Sequence, residues 1–539
     1  MTRLKYSHIN IGLLFDWHAD RTGQTIVHVD RPADIAPDLG TAFDANTLAA
    51  TVRDLASALY AAGARHGDKV VIVKDNHFDS VLVAAGAARI GALPVMISPF
   101  VPLPMLPVMI AKAAPRLVIA GTTLLAAAVA ASVELAPAET PIVTVGEPRD
   151  DLPDNAVPLD EFRGAAAVSA RPNANAEPMI VTHTSGTTGV PKFVVHSADT
   201  AIHSLPPRLE RFPLPFMTSR RDDIVAAAIP FFHIRAFLWT ASQLAVGPRA
   251  MVALSDPAPT EVAKALAAFR PTHVETLPNV FQLWEELADR QPELFARTRL
   301  FTSTFDAVHT RTVRKFLNAS QRRFPVWAWA LAQSEIHAMV GGIVTRPMVN
   351  GRRRERSDLT TVGFPPMVRA RVVDPVTGQK VPHGTAGLLM ISAKGRCLTY
   401  LGEDERHRSK VDGKWWNSGD MAISLGFGRY RMVDREVDMI PGMSCIELES
   451  TLLDRLANAT EIVVLAIPGN LPLPVVCMRD DRLEPAEWTA ATHGLPAMQQ
   501  PRVVPWDQVP RTGTWKVQRA ELRARLVGTA AGIGSGNWI

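Results

Sequence analysis

Between Thr184 and Lys192 the chain reads Thr184-Ser185-Gly186-Thr187-Thr188-Gly189-Val190-Pro191-Lys192: four hydroxyls, two glycines and one lysine in nine residues, directly after the strand-like run Met179-Ile180-Val181. Glycine lets a backbone curl until several N–H groups point at one spot, hydroxyls add donors, and the lysine supplies a point charge. Such a loop can wrap a polyphosphate. It is not the Walker pattern, because the glycine-to-lysine spacing and the residue after the lysine differ. Taken alone, the same nine residues also read as an ordinary polar surface turn.

The elements that would have to hold such a loop are legible on both sides of it. Leu48, Val52, Leu55 and Leu59 recur at helical spacing until Gly63, and the β-branched run Val70-Val71-Ile72-Val73 follows as a buried strand. A helix is expected from Ser80 to Ile90, strands at Leu93–Ile97, Leu117–Ala120 and Ile142–Val145, and an alanine-rich helix over 123–133. Alternation of this kind predicts a parallel, helix-covered sheet, whose ligands bind beyond the carboxyl ends of the strands. It resumes at Ile224–Ile229, Ala250–Leu254, Val274–Leu277 and Arg299–Phe305. Near residue 360 the texture changes to shorter strands (Arg369–Val373, Gly387–Ile391, Tyr430–Val433) between Gly and Pro turns, and a tail follows with a helix at 447–457, strands at 462–467 and 474–478, and a basic helix Val517–Leu526. A domain boundary is expected close to Arg435.

Composition narrows the function classes. The 539 residues are 47% hydrophobic and 20% charged with a net charge of +4, a globular make-up whose weak basicity and lack of a Lys/Arg run interleaved with aromatics argue against nucleic acid as a partner. Arg352-Arg353-Arg354 reads as a solvated loop. Cys397, Cys445 and Cys477 have neither zinc spacing nor a disulfide framework, and Met1–Lys5 lacks the apolar core of a signal peptide, so a soluble cytoplasmic protein is expected. The uncharged stretch Ile90–Ala111 is broken by prolines at 94, 99, 102, 104 and 107, which reads as a buried strand followed by a loop and not as a membrane span.

Over roughly residues 45–530 the sequence resembles the adenylate-forming superfamily of acyl-CoA synthetases, peptide-synthetase adenylation domains and luciferases. Thr184, Ser185, Gly186, Thr187, Thr188, Gly189 and Lys192 are similar to its phosphate loop. Pro230-Phe231-Phe232-His233 resembles the Pro-x-Phe-His segment beside the acyl pocket, and Gln333-Ser334-Glu335 the end of its Tyr-Gly-x-Thr-Glu motif. Trp416-Asn417-Ser418-Gly419-Asp420 is similar to its Thr-Gly-Asp element, Arg435 with Asp438 to the hinge, and Pro510–Arg519 to the segment of the catalytic lysine, here Lys516.

The resemblance implies an α/β fold: a large N-terminal domain of helix-covered, largely parallel sheets with a β-rich subdomain (1–434), and a small mobile α+β C-terminal lid domain (435–539). It implies ATP and magnesium as ligands. Lys192, Glu335 and Lys516 would be catalytic; Ala332, Gln333, Ser334, Asp420 and Arg435 would help hold the nucleotide; Glu335 and Thr188 would hold the metal. Glu335 read without this context is a helix N-terminal acid. Phe232, His233, Phe305, Asp306, Ala307 and Leu331 would line the substrate pocket.

Departures from the family cluster on the acyl side. Phe305-Asp306-Ala307 stands where the family has Gly-Gly-Ala, Leu331 and Ala332 replace the tyrosine and glycine before Gln333, Leu388 replaces an acid, and Trp515 replaces the glycine before the lysine. The hinge keeps only Pro441–Ile446 before Glu447-Leu448-Glu449, about four residues short, with Val437 at a position that is commonly polar. The default implication is adenylation of a carboxylic acid and transfer to the thiol of CoA or of a carrier-protein arm. The alternatives are an adenylating enzyme with another recipient or an unusual acid, such as amide ligation or nitrite-dependent diazotisation of an aryl amine in secondary metabolism, and a nucleotide-binding pseudoenzyme.

Overall fold

The computed structural model describes residues 8–21, 25–184, 190–211, 214, 216–351, 358–435 and 444–527. Ser185, Gly186, Thr187, Thr188 and Gly189 of the phosphate loop, Arg352–Arg354, and the hinge residues Val437, Asp438 and Pro441–Met443 lie outside them. The chain divides into two compact units, Met1–Glu275 with Ser334–His337 and Lys394–Ser409, and Thr276–Gln333 with Ala338–Ala393 and Lys410–Ile539.

In the first unit Lys69–Val73 is the middle of a sheet ordered Thr399–Tyr400, Phe193–His196, Ile180–His183, Leu93–Met96, Lys69–Val73, Leu117–Gly121, Ile142–Val145 and Ala156–Pro158. Pairings from Ile180–His183 outward to Ala156–Pro158 are parallel. Apart from the edge strand Ala156–Pro158 these strands are buried on both faces, which is why Lys69–Val73, Leu117–Gly121 and Ile142–Val145 read as apolar runs and not as alternating ones. The helices Ala45–Ala61 and Asp79–Arg89 come together at Gly86, where a Cβ would stand 2.9 Å from that of Leu55. A further layer orders Ile224–Ala228, Ala250–Ala253, Ile26–Val29 and Ala42–Phe43, parallel except for the last.

One expectation is corrected here. The stretch after Leu93–Met96 is not a loop: it forms a 3-10 turn, Leu103–Met105, and a helix, Leu106–Ala113. Pro107 sits in the helix's first turn, where the missing N–H has no intrahelical partner to lose.

In the second unit Leu300–Thr304 pairs in parallel with Val326–Gln333. An antiparallel sheet orders Val362–Gly363, Arg429–Arg435, Trp415–Gly426, Ala386–Ser392 and Arg369–Val373, the β-rich part anticipated near residue 360. The C-terminal part is α+β: strands Ala459–Leu465, Leu473–Met478 and Arg502–Val503 with helices Cys445–Arg455, Pro485–Thr492 and Arg519–Val527. Period-two alternation splits its apolar residues between two cores. Ile462, Val464, Val476 and Met478 face the helices Cys445–Arg455 and Pro485–Thr492, while Val463, Leu465, Val475 and Cys477 pack with Leu522.

Among the described residues no helix is long and apolar enough to cross a membrane, and Cys397, Cys445 and Cys477 are buried and form no disulfide.

Candidate active site

The phosphate-type loop hangs from a hairpin. Ile180–His183 and Phe193–His196 are antiparallel, with His183 opposite Phe193. Thr184 and Lys192 close the neck: the Thr184 amide donates to the Lys192 carbonyl at 2.9 Å, and the Lys192 amide to Thr184 Oγ1 at 3.2 Å.

Lys192 Nζ lies 4.0 Å from Glu335 Oε1 and 5.1 Å from the centre of the Tyr400 ring. The Tyr400 hydroxyl donates to the same Glu335 oxygen at 2.6 Å. Tyr400 arrives there because Thr399–Tyr400 pairs with Val194–Val195 on the hairpin. Burial, and then the Glu335 carboxylate, hold the Tyr400 hydroxyl far above its ordinary pKa, so it stays a donor. The same two causes push up the Cys397 thiol, which is inert as a nucleophile. Glu335 is not a helix-start acid: it lies in the connection between Val326–Gln333 and His337–Thr345. Among the described residues no group of three or more His, Cys, Asp or Glu could cage a metal ion. One buried carboxylate nevertheless fits magnesium, which binds through one or two carboxylates plus phosphate oxygens and water.

Histidines surround Ser334. His196 Nε2 donates to the Ser334 carbonyl at 2.7 Å. His233 caps the helix Ile234–Val246, its Nδ1 accepting the Arg235 amide at 3.1 Å. The ring proton therefore sits on Nε2, which donates to Ser334 Oγ at 3.0 Å and leaves that hydroxyl's own hydrogen to give to a ligand. His337 lies with its ring centre 4.7 Å from that of His196, has φ +62°, and its buried Nε2 has no partner. Burial lowers the pKa of His196 to about 4 and that of His337 well below its ordinary value, so both rings are neutral. Phe232 stacks on His183 with ring centres 6.2 Å apart. Asn76 holds the loop that presents it, accepting the Phe231 amide at 2.7 Å and donating to the Ser255 carbonyl at 3.0 Å.

In the second unit Gln333 Nε2 donates to Asp420 Oδ2 at 2.8 Å and to the Ser418 carbonyl at 2.6 Å, and Trp416 Nε1 donates to Gln333 Oε1 at 3.3 Å. The Asp420 backbone pairs with that of Arg435. Leu331 and Ala332 are half-buried on the strand that ends at Gln333. Phe305, at the end of Leu300–Thr304, is buried at φ +85°; Asp306 is exposed, and its Oδ1 accepts the Ala307 amide at 2.9 Å. Lys516, half-buried, follows a turn in which the Thr512 amide donates to its carbonyl at 2.8 Å and its own amide to Thr512 Oγ1 at 3.2 Å.

The structure thus joins Thr184, Lys192, Glu335, Ser334 and His233 in one unit, and Gln333 with Asp420 in the other. Tyr400, His196, His337 and Asn76 were missed in the sequence. Only Tyr400 carried a signal, as one of four tyrosines in the chain.

The AMP-binding enzyme family matches residues 15–401. Over 97% of both chains the sequence is 34% identical to 3-amino-2-hydroxy-4-methoxybenzoate diazotase of Streptomyces cremeus. It is 26% identical to benzoate–CoA ligase of Thauera aromatica over 64% of this chain and 65% of that one. The fold is similar to anthranilate CoA ligase AuaEII in complex with anthranoyl-AMP (TM-score 0.79, 20% identity, 98% of both chains). It is also similar to amide bond synthetase McbA of Marinactinospora thermotolerans (TM-score 0.75, 19% identity, 96% of this chain and 99% of that one). Lys192 and Glu335 together, Asp420 tied to Gln333, and this breadth of likeness lead to one assignment: the chain belongs to the AMP-binding enzyme family, as an ATP-dependent adenylate-forming enzyme of the acyl-CoA synthetase superfamily.

Proposed function

We propose that the enzyme activates nitrite with ATP and passes the nitrosyl group to an aryl amine of the aminobenzoate type, forming a diazonium. The observation that carries this reading is the 34% identity to a diazotase along 97% of both chains, beside partial matches to CoA ligases. It displaces thiol transfer, the default implied by the superfamily.

A nitrite oxygen attacks the α-phosphorus and pyrophosphate leaves, giving a mixed anhydride of nitrite and AMP. The amine nitrogen then attacks the nitrosyl nitrogen, AMP departs and the amine loses a proton. The N-nitroso product tautomerises to a diazohydroxide, which takes up a proton and loses water. In this scheme the Thr184–Lys192 loop holds the β- and γ-phosphates, Ser334 donates its oriented hydroxyl, Asp420 accepts from the ribose hydroxyls, and Lys516 bridges nitrite and α-phosphate. Magnesium, held by Glu335, would neutralise charge on the phosphates. Phe232 and His233 would lie on the amine's side. A division at Arg435, with 435–539 carrying Lys516, belongs to the same reading.

The test supplies ATP with nitrite and a panel of aminobenzoates, and reads AMP release and azo-dye coupling. Dye formation dependent on both nitrite and amine is the expected result. AMP release with benzoates and CoA alone, yielding a thioester, overturns it.

A further inference from the structure

Trp515 stands one residue before Lys516, at a position where the resemblance set out above implies glycine, and has a glycine-type backbone at φ +61°. Phe305 repeats the pattern at φ +85°. A bulky residue in the left-handed region is strained and persists only where its surroundings over-determine it. Glycine would make the turn without strain, so the indole must contribute something besides the turn.

Its ring stacks on Trp506, centres 5.8 Å apart and planes 25° apart. The Arg511 guanidinium lies 4.2 Å from the centre of Trp506 and pairs with Glu461, a buried residue on the strand Ala459–Leu465. The indole therefore rests on a residue packed against the C-terminal core, and Arg511 ties the same turn to the sheet. The Trp515 carbonyl is fastened from elsewhere: it accepts from Asn279 Nδ2, at the start of the helix Pro278–Leu283, and from Arg511 Nη1 at 3.4 Å. Within the turn Thr512 and Thr514 hydroxyls lie 3.1 Å apart, both buried, and the Trp515 amide donates to the Thr512 carbonyl at 2.8 Å. Side chain and carbonyl of one residue are thus anchored on two different elements, immediately before the lysine.

We propose that Trp515 and Asn279 are positioning residues that fix the turn carrying Lys516, so that the ammonium is already in place when charge develops at the reacting oxygens. This rests on the role given to Lys516. A preplaced charge needs no reorganisation at the moment of reaction, and a displacement of about 1 Å can cost about a hundredfold in rate.

The experiment uses the full-length enzyme and ATP–pyrophosphate exchange driven by nitrite, or by any acid in a panel that the wild type accepts. Trp515→Gly should lower kcat by about ten- to a hundredfold, with the KM for ATP and equilibrium ATP binding unchanged. Trp515→Phe, which keeps a stacking ring, should restore most of that loss. Asn279→Ala should lower kcat by about tenfold, again without a change in KM. Wild-type kcat in Trp515→Gly, or a loss appearing in ATP binding instead, overturns the proposal; if Trp515→Gly does not fold, Asn279→Ala decides by the same criterion. Failure of the underlying reading looks different: Lys516→Ala would then retain the wild-type rate, or the wild type would exchange pyrophosphate with no acid at all.

Discussion

By the resemblance of their motifs, Lys192 and Glu335 in the first unit match the residue types implied for the superfamily, whereas Phe305 and Trp515 in the second replace an implied glycine. The first pair is tied together through Tyr400, in a geometry that needs no backbone strain at any of the three residues. The second pair keeps the left-handed backbone of glycine and adds an aromatic ring. The difference follows from what each region meets. A triphosphate carries the same charge whatever is being activated, so under the proposed function a lysine and a carboxylate that serve it have little room to change. At Phe305 and Trp515 a bulky ring is carried on a left-handed backbone, a strained arrangement that persists only where its surroundings over-determine it.

Four measurements can break or sharpen this contrast. Lys516→Ala should have the largest effect, lowering adenylate formation by about a hundredfold or more while ATP binding persists; unchanged formation would remove Lys516 from the chemistry. Glu335→Gln keeps an oxygen for the Tyr400 hydroxyl but removes the charge. Its expected loss is about ten- to a hundredfold, partly recovered by raised magnesium, and a magnesium dependence equal to that of the wild type would contradict the metal role. Tyr400→Phe deletes one charge-assisted hydrogen bond to a carboxylate that is 7% exposed. A stability loss of about 1.5–3 kcal/mol in denaturant titration is expected, with a smaller effect on rate.

The last prediction should not distinguish the two units. Burial lowers His183 in the first and His309 in the second to about 4 from an ordinary 6.5. Since the unfolded chain binds these protons first, stability is complete above about pH 6.5 and is lost as the pH falls toward 4. Each histidine should contribute a loss of about 1–2 kcal/mol near pH 5. Thermal midpoints measured between pH 7.5 and 5 should fall in the wild type and fall less in His183→Gln and in His309→Gln. A pH-independent midpoint would mean that these rings are hydrated.

Most of the architecture was legible because hydrophobic periodicity reports which faces are buried. Val70–Val73, Leu117–Ala120 and Ile142–Val145 fall within the observed strands Lys69–Val73, Leu117–Gly121 and Ile142–Val145. From the sequence Leu106–Ala113 reads as part of a loop, since prolines look like breakers, although a proline in a helix's first turn breaks nothing. Glu335 was recognisable only by motif. A lone Gln-Ser-Glu has no periodic signal, and its environment is built by Lys192 and Tyr400, more than sixty residues away on either side.

By itself, the sequence determined the chemical vocabulary: a hydroxyl- and glycine-rich loop ending in lysine, two carboxylates at Glu335 and Asp420, and a late lysine, in an order that identifies an adenylating enzyme. These are local patterns, and local patterns survive in one dimension. The tertiary structure alone decided how they are held. It placed the Tyr400 hydroxyl on Glu335, set the tautomers of His196 and His233 around Ser334, and showed Trp515 anchored by Trp506 and Asn279. Those relations join residues far apart in the chain, and nothing in the spacing of either partner encodes the distance between them.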